Sequence, residues 1–280
     1  MRLRVITILA MAGVAAGAQQ PAPRPPAAPR YKNSALGIDA RVRDLLARMT
    51  AEEKFWQLWM VPGDLDSNAK IYEHGVFGLQ VRERGVPTPE RDPAAAARRM
   101  ADRLNSIQRF FVEKTRLGIP IIPIEEAVHG LYGNGGTMFP AAIGLAATWS
   151  VPMMDSVASA ISSEARTRGV RQVLSPVINI ANDVRWGRVE ETYGEDPWLT
   201  SELARAFVTP FEKSGVVTTP KHFIANVGEG GRDSYPIDFD ERLLNEIFFP
   251  PFKAAIASGA RSVMASYNSV DGSPASANEW

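Results

Sequence analysis

The run IPIIPIEEAVHG, Ile119 to Gly130, holds six apolar residues that stop abruptly at Glu125, Glu126 and His129. A short apolar run bounded by polar residues reads as a strand buried on both faces, because it is too short for a helix and shows no alternation. The same design recurs along the chain. Gly75 to Val81 (GVFGLQV) reads as the first strand, and Val173 to Ala181 (VLSPVINIA) runs into Asn182, Asp183, Arg185 and Arg188. Val216 to Thr219 leads to Lys221 and His222, and Ser262 to Ser266 (SVMAS) leads to Tyr267 and Asn268.

Amphipathic helices separate these runs. Val42, Leu45, Leu46 and Met49 recur at helical spacing over Arg41 to Met49. Thr50 with Glu53 three residues later is a capping box for a following helix expected to bury Leu58. Asp92-Pro93 caps a helix over Ala94 to Arg116, with Met100, Leu104, Ile107 and Phe111 inward and Gly118 ending it. Further helices are predicted from Ser150-Pro152 to Gly169, over Ser201 to Glu212, and from Asp240 toward Gly259 with a kink at Pro250-Pro251. Alternating strands and helices imply an α/β fold with a parallel sheet covered on both faces. An open doubly wound sheet for a dinucleotide calls for G-x-G-x-x-G after the first strand, and none follows Val81. A polar cluster after each later strand suits the C-terminal edge of a TIM-like (β/α)₈ barrel.

Composition narrows the function. The 280 residues carry 31 Lys+Arg and 31 Asp+Glu, a balance that supplies no basic field for nucleic acid. The absence of cysteine excludes a disulfide scaffold, a thiolate nucleophile and thiolate-bound zinc. Three histidines without H-x-H, H-E-x-x-H or D-x-D-x-D-G spacing argue against a metal centre, and no motif implies a cofactor. Arg2 and Arg4 before the apolar run Val5 to Val14, then Ala16-Gly17-Ala18, read as a signal peptide over residues 1–18. That run is too short to span a bilayer, so export to the periplasm or beyond is expected without a membrane span. Residues 19–30 (QQPAPRPPAAPR) form a Pro-rich linker, and the folded domain is expected over 31–280.

The clusters fit a pocket that hydrogen-bonds a neutral, polyhydroxylated ligand: carboxylates accept from hydroxyls, and Arg, Lys and His donate. A Lys-His pair at a strand end also holds a neighbouring carboxylate ionised. Structural roles compete at several positions. Glu125 is expected to be structural, His129 to order its loop, Arg185 likewise, and Arg188 has Glu190, Glu191 and Asp196 within reach as ion-pair partners. Trp56, Trp59, Trp149 and Trp186 read as core, and Arg82-Glu83-Arg84 with Arg91-Asp92 as a solvated loop.

Five runs together resemble the N-terminal domain of glycoside hydrolase family 3: IPIIPIEEAVHG, FPAAIGLAATW (Phe139 to Trp149), RWGRVEETYGED (Arg185 to Asp196), PKHF (Pro220 to Phe223) and SYNSVDG (Ser266 to Gly272). RVRDLLARMTAEEK (Arg41 to Lys54) is similar to that family's opening helix, so the resemblance extends from about Tyr31 to Trp280 in unchanged order. It implies a TIM-like barrel and retaining hydrolysis of terminal, non-reducing β-D-glycosyl residues of an oligosaccharide or aryl glycoside. It also implies substrate contacts at Glu126, Arg188, Lys221, His222 and Tyr267.

The family's nucleophile is an aspartate in a Ser-Asp-Trp stretch, and its general acid/base usually comes from a following α/β sandwich domain. Both are expected beyond Trp280, which leaves the barrel incomplete at its C-terminus. Asn278-Glu279-Trp280 reads as the start of the next helix, and Glu279 as no substitute nucleophile. Many members carry aspartate where this chain has Glu126. The extra methylene fills space otherwise open to a hexose hydroxymethyl group, which makes β-xylosidase the alternative to β-glucosidase. A non-catalytic sugar-binding remnant is the second alternative.

Overall fold

A computed structural model describes residues 28–66, 68–81, 92–227 and 233–280. The leader, most of the Pro-rich linker, and Arg82-Glu83-Arg84 with Arg91 lie outside the described residues. Two compact units divide the chain, residues 1–48 and residues 49–280. In the first, helix α1 (Ile38–Arg48) is tied to the preceding turn: the Tyr31 amide donates to Asp44 at 3.0 Å and Arg41 Nε donates to the Tyr31 carbonyl at 2.8 Å.

The second unit opens with α2 (Ala51–Trp56), whose capping box is present as expected: Thr50 Oγ1 accepts from the Glu53 amide and Glu53 returns the bond to Thr50. Glu53 is also buried against the Arg116 guanidinium, with Arg116 Nε donating to its Oε1 at 2.8 Å. The helix stops before Leu58, which is 81% exposed rather than buried. Trp56 turns inward instead, its ring edge against Tyr72.

Strands β1 (Met60–Pro62), β2 (Gly78–Gln80), β3 (Ile122–Glu125), β4 (Gln172–Val173) and β5 (Val217–Thr218) form a five-stranded parallel sheet in sequential order. Strand β6 (Lys221–Phe223) carries the β5 stave onward past Pro220, with Lys221 bridged in parallel to Val177, and β7 (Met264–Ala265) pairs in parallel with β6. Parallel staves in unbroken sequence order, each followed by a helical crossover, are the order of a (β/α) barrel; a doubly wound sheet reverses direction at a switch point. The antiparallel hairpin of β8 (Ser269–Val270) and β9 (Ser273–Pro274) follows.

Helices α3 (Pro93–Lys114), α4 (Ala142–Ala146), α5 (Val151–Thr167), α6 (Pro197–Ser214), α7 (Glu241–Leu243) and α8 (Phe249–Ala257) connect the staves. Side-chain caps at Asp92, Ser150, Asp196 and Asp240 start four of them by satisfying first-turn amides. Met100, Leu104, Ile107 and Phe111 of α3 are buried as the spacing predicts, around a small core with Tyr72, Val76 and Leu79. A larger core joins α4, α5, α6 and α8 and includes the stacked rings of Phe207 and Phe211, 4.7 Å apart.

Several expectations need correction. A stave precedes the first predicted strand, because Met60–Pro62 is only three residues long and carries no periodic signal. Val173 to Ala181 is not one continuous strand: regular pairing ends at Val173, the Ser175–Pro176 peptide is cis, and only Val177 bridges beyond it. Helix α6 begins four residues before Ser201, at the Asp196 cap. A π-turn over Leu244–Phe248 sits between α7 and α8, so the irregularity precedes Pro250. Of the four tryptophans assigned to the core, Trp186 is buried at 2% exposure, whereas Trp149 and Trp59 are exposed at 66% and 46%. Trp149 ends the α4 turn with a positive φ of 53°, which directs it away from the packed helices. Residues 275–277 form a 3₁₀ turn, and Asn278 is extended with its Oδ1 accepting from the Trp280 amide at 2.9 Å, the geometry of a helix N-cap.

Candidate functional site

Every predicted site residue stands at the C-terminal edge of a stave. Glu126 is the first residue after β3, Arg188 lies in the loop after β4, Lys221 and His222 belong to β6, and Tyr267 follows β7. Lys221 Nζ donates to both carboxylate oxygens of Glu126, at 3.0 and 2.9 Å. Lys221 is only 3% exposed, and its partner is the half-open member of the pair, with 28% of the Glu126 side chain exposed. A largely dry ammonium is stable only when paired, so Glu126 and Lys221 form one unit. An ammonium has three donors and a carboxylate about four acceptor positions, so the pair keeps capacity for a ligand.

Arg188 is held by a fork: Nε and Nη2 donate to Glu191 at 2.6 and 2.9 Å. Its Nη1 lies 3.8 Å from Asp233. The bond to Glu191 raises the guanidinium pKa further, so Arg188 stays charged. The sequence reading placed Glu191 among three partners for Arg188 and missed Asp233, which is distant in sequence and belongs to no motif there. Asp233 Oδ1 accepts from Asn226 Nδ2 at 2.9 Å and from the indole of buried Trp186 at 3.3 Å.

His222 is 2% exposed. Burial, reinforced by the positive charges of Arg188 and Lys221, lowers its pKa to about 3 against the weaker opposing pull of Asp233. The imidazole is therefore neutral at neutral pH, and the positive charge beside Glu126 comes from Lys221. The His222 backbone amide and Nδ1 both meet Asn179 Oδ1, at 2.9 and 3.0 Å. The Tyr267 ring stacks on the imidazole with centroids 6.4 Å apart, and Tyr267 is 71% exposed, a place at the open side of the site.

Glu126, Arg188 and Lys221 line a cavity of about 820 Å³ together with Gln80, Glu125 and the loop from Leu131 to Asn134, and His222 and Tyr267 stand outside that lining. Glu125 is structural, as expected: it is buried, accepts from Gln80 Nε2 at 2.7 Å and from the Glu126 amide at 2.9 Å, and so fixes where Glu126 points. His129 orders its loop through a 2.8 Å contact between Nδ1 and the Phe139 carbonyl. Arg185 pairs with Asp183 at 2.7 Å and stays with its own loop. Among the described residues there is no cluster of three or more His, Cys, Asp or Glu able to hold a metal ion. A buried cation–carboxylate pair and a forked guanidinium in one lining, with the neutral imidazole of the next residue after Lys221, offer donors and acceptors without a net field. That set matches the hydroxyls of a neutral, polyhydroxylated ligand.

Residues 50–280 match the Glycosyl hydrolase family 3 N terminal domain. A periplasmic beta-glucosidase of Salmonella typhimurium is 30% identical over 86% of this chain and 31% of its own length. A beta-xylosidase of Formosa agariphila is 38% identical over 59% of this chain and 25% of its own length. Among solved structures, a b-glucosidase from Erythrobacter marinus superposes with a TM-score of 0.77 at 32% identity, covering 89% of this chain and 34% of that one. The chain thus spans about a fifth to a half of the length of the relatives it matches. By that match over residues 50–280, the chain belongs to glycosyl hydrolase family 3, through that family's N-terminal domain.

Proposed function

We propose that this chain is the sugar-binding barrel domain of an exported retaining β-glycosidase. The whole protein removes terminal, non-reducing β-D-glucosyl residues through a covalent glycosyl-enzyme intermediate. The observation that supports this best is the Lys221–Glu126 pair set with Arg188 in the lining of one cavity. Glu126, Arg188, Lys221, His222 and Tyr267 bind the terminal sugar in this reading. Its substrates are β-linked oligosaccharides and aryl glycosides, with neither metal nor cofactor.

Glu126, Glu191 and Glu125 are each committed to an ion pair or a buried hydrogen bond. They suit binding and positioning. The nucleophilic aspartate and the proton-donating acid are assigned to the segment after Trp280, the acid to an α/β sandwich domain. Retention then proceeds in the usual two steps: the aspartate displaces the protonated leaving group at the anomeric carbon, and water, deprotonated by the former acid, hydrolyses the ester. Export is supported by the leader-like residues 1–18 and by the periplasmic location of the Salmonella relative; among the described residues no helix is long and apolar enough to cross a membrane.

A β-xyloside substrate is the second reading, favoured by Glu126. Its longer side chain reaches Lys221 with both oxygens and occupies volume beside the sugar ring. The test is release of p-nitrophenol from β-glucoside and β-xyloside by the protein extended through its downstream reading frame, with the 280-residue chain alongside. Faster glucoside turnover by the extended protein, with the shorter chain at background, is expected. Faster xyloside turnover selects the second reading, and turnover by neither overturns both in favour of a non-catalytic sugar-binding remnant.

A further inference from the structure

We infer that Asn179 is a positioning residue that presents His222 Nε2 to the ligand as a hydrogen-bond acceptor, so that the site selects a hydroxyl able to donate at that point. The inference deepens the sugar-binding reading above and rests on it.

The polarity follows from backbone groups whose roles cannot change. The His222 amide is an obligatory donor, and it meets one side-chain atom of Asn179 at 2.9 Å. That atom must be the amide oxygen. The other end of the same side chain faces two carbonyls, of Asn226 at 3.3 Å and of His222 at 3.5 Å, which only accept. It must be the NH₂ group. With the amide orientation fixed, the 3.0 Å contact from Asn179 Oδ1 to His222 Nδ1 requires the proton to sit on Nδ1. A neutral imidazole protonated there has a bare lone pair at Nε2, and among the described residues no group takes it. Burial and the neighbouring Arg188 and Lys221 charges keep the ring neutral.

Asn179 does not act alone. Asn226 is fully buried, its carbonyl accepts from Asn179, and its own amide is oriented by the Ser234 amide on Oδ1 at 3.2 Å and by Asp233 on Nδ2 at 2.9 Å. Asp233 also faces Arg188 Nη1. One continuous chain, Arg188–Asp233–Asn226–Asn179–His222, thereby joins the donor of the site to its acceptor. Arg188 and Lys221 give hydrogen bonds to the ligand, and His222 receives one. Such mixed polarity distinguishes a hydroxyl, which both donates and accepts, from a fluorine or an ether oxygen, which only accept.

Two measurements test this on the full chain. The first is ¹⁵N NMR of His222 at neutral pH, where a protonated Nδ1 and an unprotonated Nε2 are expected; a proton on Nε2, or an imidazolium, overturns the assignment. The second is calorimetric binding of glucose, its deoxy analogues and its fluorodeoxy analogues. At one ring position the fluoro and deoxy sugars are expected to bind equally poorly, about tenfold or more below glucose, since a lost donor–acceptor pair in a dry site is of that order. Fluoro sugars that match glucose at every position contradict the inference. Asn179→Asp is expected to shift the ring toward imidazolium by placing a carboxylate on Nδ1, and to restore fluoro-sugar binding at that same position. No rescue in a folded variant counts against the inference. A protein that shows the Nδ1–H tautomer yet binds no glucose overturns the sugar reading while leaving the role of Asn179 intact.

Discussion

Lys221 and Glu126 are the pair on which binding turns. Lys221→Met removes the charge and the donors while keeping most of the volume, and leaves a half-exposed carboxylate that water can reach. Glucose affinity is expected to fall at least tenfold, about 1.4 kcal/mol, with a smaller loss for Glu126→Gln, which keeps an acceptor. Titration calorimetry checks both. His222 makes a prediction of a different kind. Its folded pKa of about 3 lies below the ordinary value of 6.5, so the unfolded chain takes up the proton first. The stabilisation is complete above pH ~6.5 and is lost as pH falls from there toward 3, reaching about 2 kcal/mol at pH 5. The Arg116 guanidinium lowers the Glu53 pKa, which adds a loss of the same sign within the carboxylate range. Urea unfolding at pH 7.5 and pH 5 should show the drop, and His222→Gln should flatten it between pH 6.5 and pH 5. These contacts were partly legible: Lys221, Glu126 and His222 announce themselves as polar residues at strand ends. Asp233 and Asn179 do not, because Asn and Asp in loops are ordinary, and Asn179 meets His222 and Asp233 meets Trp186 across 43 and 47 residues of sequence.

Helices carried most of the readable signal at the scale of elements. Cap residues and 3.6-residue spacing fix α3 and α5 nearly to the residue, since each stripe faces a core directly. Staves of two or three residues carry no period of their own, so β1 was missed and β4 was drawn too long. The stripe rule also failed after Thr50, where Gln57 ends the helix and Leu58 turns to solvent. Helix α6 is the best-buried connector, with Phe207 and Phe211 both at 1% exposure or less. Phe211→Ala is expected to destabilise the second unit by about 3–5 kcal/mol through a cavity, while Asp196→Ala, a lost cap, costs about 1 kcal/mol. Denaturant titrations at pH 7 measure both, and a reversed order would contradict this account of the core.

For the whole molecule, the order of parallel staves brings residues more than 90 positions apart, Glu126 and Lys221, to one rim. Strand β6 carries Lys221 and His222, while the segments that follow β3, β4 and β7 carry Glu126, Arg188 and Tyr267. Family membership and the C-terminal-edge placement of the site were both readable in advance.

The most direct test of the central claim is calorimetric titration of glucose into the 280-residue chain and into its Lys221→Met variant at pH 7. The account predicts millimolar-range binding, on the order of 4 kcal/mol, that weakens at least tenfold in the variant. Equal binding by the two proteins would contradict it.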